Sequence, residues 1–317
     1  MPVKPELLII TPAFIPDEYM AKFADMFTVI YAPKADEQRR LLESGGLKNV
    51  RACFTLGSKG LTNEMMDAMP KLEIVVCKGA GYDGFDLPEM RKRSYALSHG
   101  PALNATSVAD HAVALMMATV RNIPKLHNGV LAGQWLDLRN PVPLVREKRL
   151  GILGLGKIGL VIAEMVSGFK MPVSYHNRRQ RSDVPYAYRA SAVELAANVD
   201  ILIAMCPLDE TTHHIVNRDV LKALGPKGYV INMARGPVID TPALIEALNK
   251  GLIAGAGLDV VEGEPVPPPA LLKCPNLVIT PHVGGESIEA GAAIHDLLIG
   301  NLAAHFAGKP LLTPIPA

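Results

Sequence analysis

Three glycines, Gly154, Gly156 and Gly159, follow directly on the apolar run Leu150 to Leu153 and open a stretch with helical spacing. A strand that passes through G-x-G-x-x-G into a helix leaves few folds to choose from. The first glycine permits a tight turn, the second lets a pyrophosphate approach the backbone, and the third lets the helix pack closely on its strand. Backbone N–H groups along the turn and helix start, with Leu155, Lys157 and Ile158 between the glycines, then face an anion. The motif alone is also compatible with a purely structural turn, so its context has to decide.

That context is the next apolar run, PVSYH, which ends about 20 residues on, where a dinucleotide site of this kind usually places an acid for the adenosine ribose. Here the chain has Asn177, Arg178 and Arg179. A carboxylate would repel a 2′-phosphate, whereas guanidinium groups pair with phosphate bidentately and stay charged at any working pH. The expected cofactor is therefore NADP(H). Taken without the loop, Arg178 and Arg179 read equally as solvated surface charge.

Bulk properties exclude several partners. The chain has 317 residues, 49% of them hydrophobic, and 32 basic against 31 acidic side chains. This is a length for about two domains, and the charge balance gives no case for a nucleic-acid or membrane partner. The start, MPVKPELLII, lacks the features of a secretory signal, and the apolar run Ala112 to Val120 is too short to span a bilayer. A cytoplasmic protein is expected. Cys53, Cys77, Cys206 and Cys274 stand far apart without a C-x-x-C pair, so each reads as a buried thiol, and neither a disulfide framework nor a metal site is expected.

Up to about residue 99, short β-type runs (LLII, FTVIY, EIVVC) alternate with helical stretches around Asp17 to Asp25 and Thr62 to Ala68, which predicts an α/β domain on a parallel sheet. Ser107 to Asn122 reads as one long helix between domains. A second alternating series runs from RLGIL through PVSYH, DILIAM, GYVINM and IAGAGLDV. The last helical segment, about Ile288 to Phe306, has no following strand and is expected to pack on the first domain. The expected domains are residues 1–99 with 287–317, for substrate, and residues 100–286, for the dinucleotide. GEPVPPPALL reads as an irregular connector.

Three polar residues sit at or just after strands of the second series: Arg235 in INMARGPVID, Glu264 in GLDVVEGEP and His282 in TPHVGG. Each alone has a dull reading as surface charge or satisfied polar group. Beside a dinucleotide they supply what reduction of a 2-oxo acid needs from a protein. An imidazolium donates the proton, a carboxylate stabilises and orients it, and an arginine holds the substrate carboxylate. In the first domain, KGAGYDGFD follows a strand, and Gly79, Ala80 and Gly81 are expected to offer backbone N–H groups to the same carboxylate.

The segments GAGYD, SVADHAVAL, GILGLGKIG, CPLDETTHHIVN, ALGPKGYVINMARGPVID, AGAGLDVVEGEP and TPHVGG resemble, in order, those of the D-2-hydroxyacid dehydrogenase family. Together with NLAAHFAGKPLLTP they are most similar to its glyoxylate/hydroxypyruvate and plant hydroxyphenylpyruvate reductases. The resemblance implies two Rossmann-like domains, the substrate domain flavodoxin-like, with the active site in the cleft between them, and a homodimer built on the dinucleotide domains. It implies the acid/base, partner and anchor roles for His282, Glu264 and Arg235, and a place near the nicotinamide carboxamide for Asp259. It also implies that Cys206, Pro207, Thr212, Met233, Ala234, Arg235, His282 and Gly284 line the cofactor, and that Trp135 reaches the partner subunit's substrate site or else lies in a dimer core.

The expected reaction is NADPH-dependent reduction of glyoxylate or hydroxypyruvate. The alternatives are an aryl-pyruvate reductase of the same family and, from another class, a dinucleotide-sensing scaffold, against which the lack of a charged tail speaks. Leu56, Tyr82, Trp135 and Glu286 are the expected pocket walls. Asp110 replaces a glutamate common in the family, and Lys78 reads as a solvated lysine. The chain's stop at Ala317 speaks against a long phosphoglycerate dehydrogenase.

Overall fold

The computed structural model describes residues 3–101 and 103–316; Met1, Pro2, Ala102 and Ala317, which the expected domain ranges include, lie outside the described residues. The chain divides into two compact units, Met1–Asn104 with Ser287–Ala317, and Ala105–Glu286.

The first unit alternates β1 (Glu6–Ile9), α1 (Asp17–Met26), β2 (Thr28–Tyr31), α2 (Ala35–Ser44), β3 (Val50–Leu56), α3 (Asn63–Ala68), β4 (Ile74–Lys78), α4 (Leu87–Lys92) and β5 (Ala96–Ser98). Its strands form one parallel sheet in the order β2-β1-β3-β4-β5, the flavodoxin-like arrangement. Both faces are covered, which is why the strands read as unbroken apolar runs. Leu8, Cys53, Val75 and Cys77 pack under Met65, Met66 and Met90 on one face. The alternate residues Leu7, Ile9, Phe54, Ile74 and Val76 pack with Phe23 on the other. Lys78 departs from expectation: it is buried, 6% exposed, because it ends β4, which is flanked by β3 and β5.

The second unit opens with α5 (Ala105–Val120) and α6 (Ile123–Leu131). The helix expected from Ser107 to Asn122 is α5, which begins at Ala105 and ends two residues early, at Val120, before a second helix starts. Pro124 restricts the backbone just before it and suits only the first turn of a new helix, and Asn122 between the helices takes a left-handed φ of 53°. There follow β6 (Leu150–Leu153), α7 (Lys157–Met165), β7 (Val173–His176), β8 (Ala187–Tyr188), α8 (Ala192–Ala197), β9 (Ile201–Ala204), α9 (Arg218–Leu224), β10 (Tyr229–Asn232), α10 (Thr241–Asn249), β11 (Gly255–Leu258), α11 (Pro269–Leu272) and β12 (Leu277–Ile279). The parallel sheet runs β12-β11-β10-β9-β6-β7-β8. Order reverses between β6 and β9, the place where such sheets collect ligands at the C-terminal ends of their strands. α5 buries Ala109, Ala112, Met116 and Val120 at helical spacing against Leu150, Ile152 and Ile231.

The last helix, α12 (Ile288–Phe306), belongs to the first unit, where Ile294, Leu298 and Leu302 lie fully buried against the β1, β3 and β4 residues Leu7, Phe54 and Ile74. Among the described residues no helix is long and apolar enough to cross a membrane.

Candidate active site

The turn between β6 and α7 is built for an anion. Gly154 has a φ of +101°, and a Cβ there would lie 2.5 Å from the Cys206 backbone nitrogen. The turn therefore rests directly on the chain leaving β9. Gly156 caps α7 without any side-chain hydrogen bond, and a Cβ on it would meet nothing within 4 Å. The exposed N-terminus of α7 and the open space beside Gly156 fit a pyrophosphate, which the helix dipole and its first N–H groups favour. Lys157 is exposed, Ile158 half-buried, and Gly159 buried against β6.

Asn177 holds the glycine turn. The Leu155 N–H donates to Asn177 Oδ1 at 2.7 Å, and Asn177 Nδ2 donates back to the Leu155 carbonyl at 3.3 Å. The same carbonyl accepts from Arg181 Nη1 at 3.1 Å. Asn177 and Arg181, the latter unforeseen, thus clamp the glycine turn, and Leu155 spends its backbone groups on them. Arg178, 73% exposed, lies 3.5 Å from Asp209, and Arg179 is exposed. Hydrogen bonds from Thr211 hold the Asp209 carboxyl below the usual range. Thr212 is buried and ties its loop together, donating to the Pro207 carbonyl and accepting from the Asp209 N–H. Cys206 is buried and its thiol is pushed up to about 11 by that burial. Cys53 and Cys77 are buried as well, whereas Cys274 is only half-buried.

The three chemical residues come to the same edge of the same sheet. Arg235 follows β10, Glu264 follows β11 and His282 follows β12. His282 Nδ1 lies 2.7 Å from Glu264 Oε1, with the imidazole 39% exposed. The Glu264 hydrogen bond raises the His282 pKa against the opposing effects of burial and the Arg235 charge. Burial pushes the Glu264 carboxyl up, but the His282 hydrogen bond and the charges of His282 and Arg235 bring it below its ordinary value. Asn232, 1% exposed, shapes the turn that carries Arg235 by donating to the Arg235 carbonyl and accepting from the Ala234 N–H. Met233 and Ala234 before it are buried.

Asp259 is the organiser of the His282 loop. Its Oδ1 accepts from Thr280 Oγ1 at 2.7 Å and the Val283 N–H at 3.0 Å, and its Oδ2 from the Gly284 N–H at 2.9 Å. The His282 N–H donates to its backbone carbonyl at 2.8 Å. These bonds fix His282 at a φ of +55°, a conformation uncommon outside glycine that needs such over-determination. His111 on α5 completes the cluster, 3.0 Å from Thr280 Oγ1, and Ser107 donates to the Gly284 carbonyl at 2.8 Å. His111 and Thr280 escaped the sequence reading because they lie 169 residues apart and no local spacing links them.

In the first unit the turn after β4 has Gly79 at a φ of +97° and an exposed Ala80 whose carbonyl lies 2.9 Å from His99 Nδ1. Gly81 packs its carbonyl against Gly57. Leu56 ends β3 half-buried, and Tyr82 stacks edge-on with His99 at 5.2 Å. In the second unit Trp135 is 65% exposed, and Asp110 and Glu286 are at the surface.

Residues 113–284 match the family model described as D-isomer specific 2-hydroxyacid dehydrogenase, NAD binding domain. The chain belongs to the D-isomer specific 2-hydroxyacid dehydrogenase family. Hydroxyphenylpyruvate reductase of Plectranthus scutellarioides is 43% identical over 270 residues, 84% of this chain and 86% of that one. Glyoxylate/hydroxypyruvate reductase A of Arabidopsis thaliana is 40% identical over 84% of this chain and 86% of its own length. Among solved structures, the NADPH-dependent glyoxylate/hydroxypyruvate reductase of Sinorhizobium meliloti in complex with NADP and malonate superposes with a TM-score of 0.88 at 36% identity, covering 98% of this chain and 97% of that one. Like its relatives, this 2-hydroxyacid dehydrogenase pairs two parallel-sheet α/β domains of Rossmann type.

The His282–Glu264 pair sets a pH dependence. With the proton-donor role expected of His282, the rate of reduction should fall as pH rises through its raised pKa. Glu264→Gln removes the partner that raises it, and the alkaline limb of the pH–rate profile is expected to move to lower pH. An unmoved limb would detach Glu264 from the titration.

Proposed function

We propose that this dehydrogenase reduces small 2-oxo acids, glyoxylate and hydroxypyruvate, to the D-2-hydroxy acids with NADPH. The observation that carries the reading is the 2.7 Å contact of His282 Nδ1 with Glu264, at the strand edge that also bears Arg235 and the glycine turn. A dinucleotide held at the Gly154–Gly159 turn would supply the hydride for the carbonyl carbon. His282, protonated on both nitrogens and held through Nδ1, gives its Nε2 proton to the carbonyl oxygen and is left neutral. Glu264 stabilises the imidazolium before transfer. Arg235 pairs with the substrate carboxylate and polarises the carbonyl. Asp259 keeps the His282 loop in the reacting conformation.

The selectors Arg178 and Arg179 favour the phosphorylated cofactor. Arg178 is bound only loosely to Asp209 at 3.5 Å on the surface, a contact that a phosphate dianion outcompetes by charge and bidentate geometry. Arg178→Ala is expected to raise the KM for NADPH at least about tenfold, the loss of one charge-assisted bidentate contact, and to leave that for NADH nearly unchanged. Equal losses would remove the case for phosphate recognition.

Initial rates with NADPH and NADH against glyoxylate, hydroxypyruvate, phenylpyruvate and 4-hydroxyphenylpyruvate test the whole reading. The second reading, an aryl-pyruvate reductase, is favoured by the 43% identity to the Plectranthus enzyme, and faster turnover of the aryl acids would establish it. A homodimer is proposed through the second unit, where Ile123, Leu131, Trp135 and Leu136 are all more than half exposed and suit a covered surface. The free cysteines suit a reducing compartment, the cytoplasm.

A further inference from the structure

His213, His214 and Glu262 bring one ligand atom each within 4.8 Å of one another, and the reading above gives none of the three a role. His213 and His214 precede α9 on the segment leaving β9, and Glu262 follows β11. In the sheet these strands flank β10, so the three side chains span its end.

The local geometry is unusual for neighbours in sequence, whose side chains ordinarily diverge. His214 takes a φ of +53°, which L-residues rarely adopt, and its N–H donates to the Pro237 carbonyl at 2.8 Å. The turn brings the two imidazoles onto one side with ring centroids 3.9 Å apart. His214 Nε2 already lies 2.8 Å from Glu262 Oε1, both side chains about one-third exposed or less. The Glu262 carboxyl is pushed up by burial yet held below its ordinary value by His214 and by hydrogen bonding with Thr241. Thr241 is therefore an outer partner of the kind that orients a ligating carboxylate.

We propose that His213, His214 and Glu262 form a binding site for a divalent transition-metal cation of the zinc class, two imidazole nitrogens and one carboxylate oxygen with water in the fourth position. This donor set suits zinc, whose ligand atoms lie within about 4 Å of one another. The wide spacing of the cysteines has no bearing on it, since no thiolate is used. The bound ion ties the loop after β9 to the segment after β11 and so braces both across β10, independently of which substrate the enzyme reduces.

The test is Zn²⁺ titration of the untagged protein in competition with a chromophoric chelator, with thermal melting in parallel. One equivalent should bind per chain and raise the melting temperature, as a ligand of the folded state does. His213→Ala, which leaves the His214–Glu262 bond in place, should weaken binding about tenfold or more, and Glu262→Gln likewise. His127→Ala, at an exposed histidine elsewhere, should bind as the parent does. Absence of Zn²⁺ binding by the parent, or affinity unchanged in both His213→Ala and Glu262→Gln, overturns the site.

Discussion

Replacing His282 by alanine should lower the rate of 2-oxo acid reduction by about 10²- to 10⁴-fold, the usual worth of a positioned general acid. Dinucleotide binding, followed by nucleotide fluorescence, should persist, because the glycine turn and its clamps Asn177 and Arg181 make no contact through His282. The expected signature is a loss in kcat with little change in the KM for NADPH. A rate within about tenfold of the parent would take the proton-donor role from His282. The ring is held by Glu264 through Nδ1 and its backbone by the Asp259 carbonyl. Asparagine at 282 is the useful companion variant, since it tolerates the left-handed φ of +55° better than alanine does. If both variants fail alike, the chemistry and not the loop conformation has been lost.

The second large effect is expected at Gly154. Alanine there meets the Cys206 nitrogen at 2.5 Å and its Cα at 2.7 Å, at a φ of +101° that an L side chain resists. Neither partner yields easily, because both contacts are to backbone at the end of β9. A penalty of about 3 kcal/mol for strain and overpacking corresponds to roughly 100-fold in dinucleotide affinity if the turn gives way to relieve it. The melting temperature should also fall. Gly168→Ala, where a Cβ meets nothing within 4 Å, is the matched control and should leave both quantities near the parent's. Undiminished NADPH binding by Gly154→Ala would mean that the turn is not the pyrophosphate cradle.

Much of this was legible in the residues. LLII and IVVC are unbroken apolar runs because their strands are covered on both faces. The glycine triplet sits where a strand gives way to a helix. Arg235, Glu264 and His282 each stand a few residues beyond a strand that the pattern marks. Where the reading failed, a local rule yielded to a neighbour. Lys78 was read as solvated, but it ends a strand flanked on both sides. The helix drawn through to Asn122 stops at Val120 because Pro124 starts another.

The sequence by itself determined the element types, the two parallel sheets and the chemical kinds of the reacting groups, since apolar period, glycine and proline act within a few residues of chain. Tertiary structure alone decided which groups meet. It set Asn177 and Arg181 to hold the turn at Leu155, brought His111 to Thr280 across 169 positions, and made Asp259 the anchor of the His282 loop. The physical reason is that a hydrogen bond or a packed side chain depends on the order of strands in a sheet, and that order is fixed by the burial of the whole core rather than by the spacing of neighbouring residues.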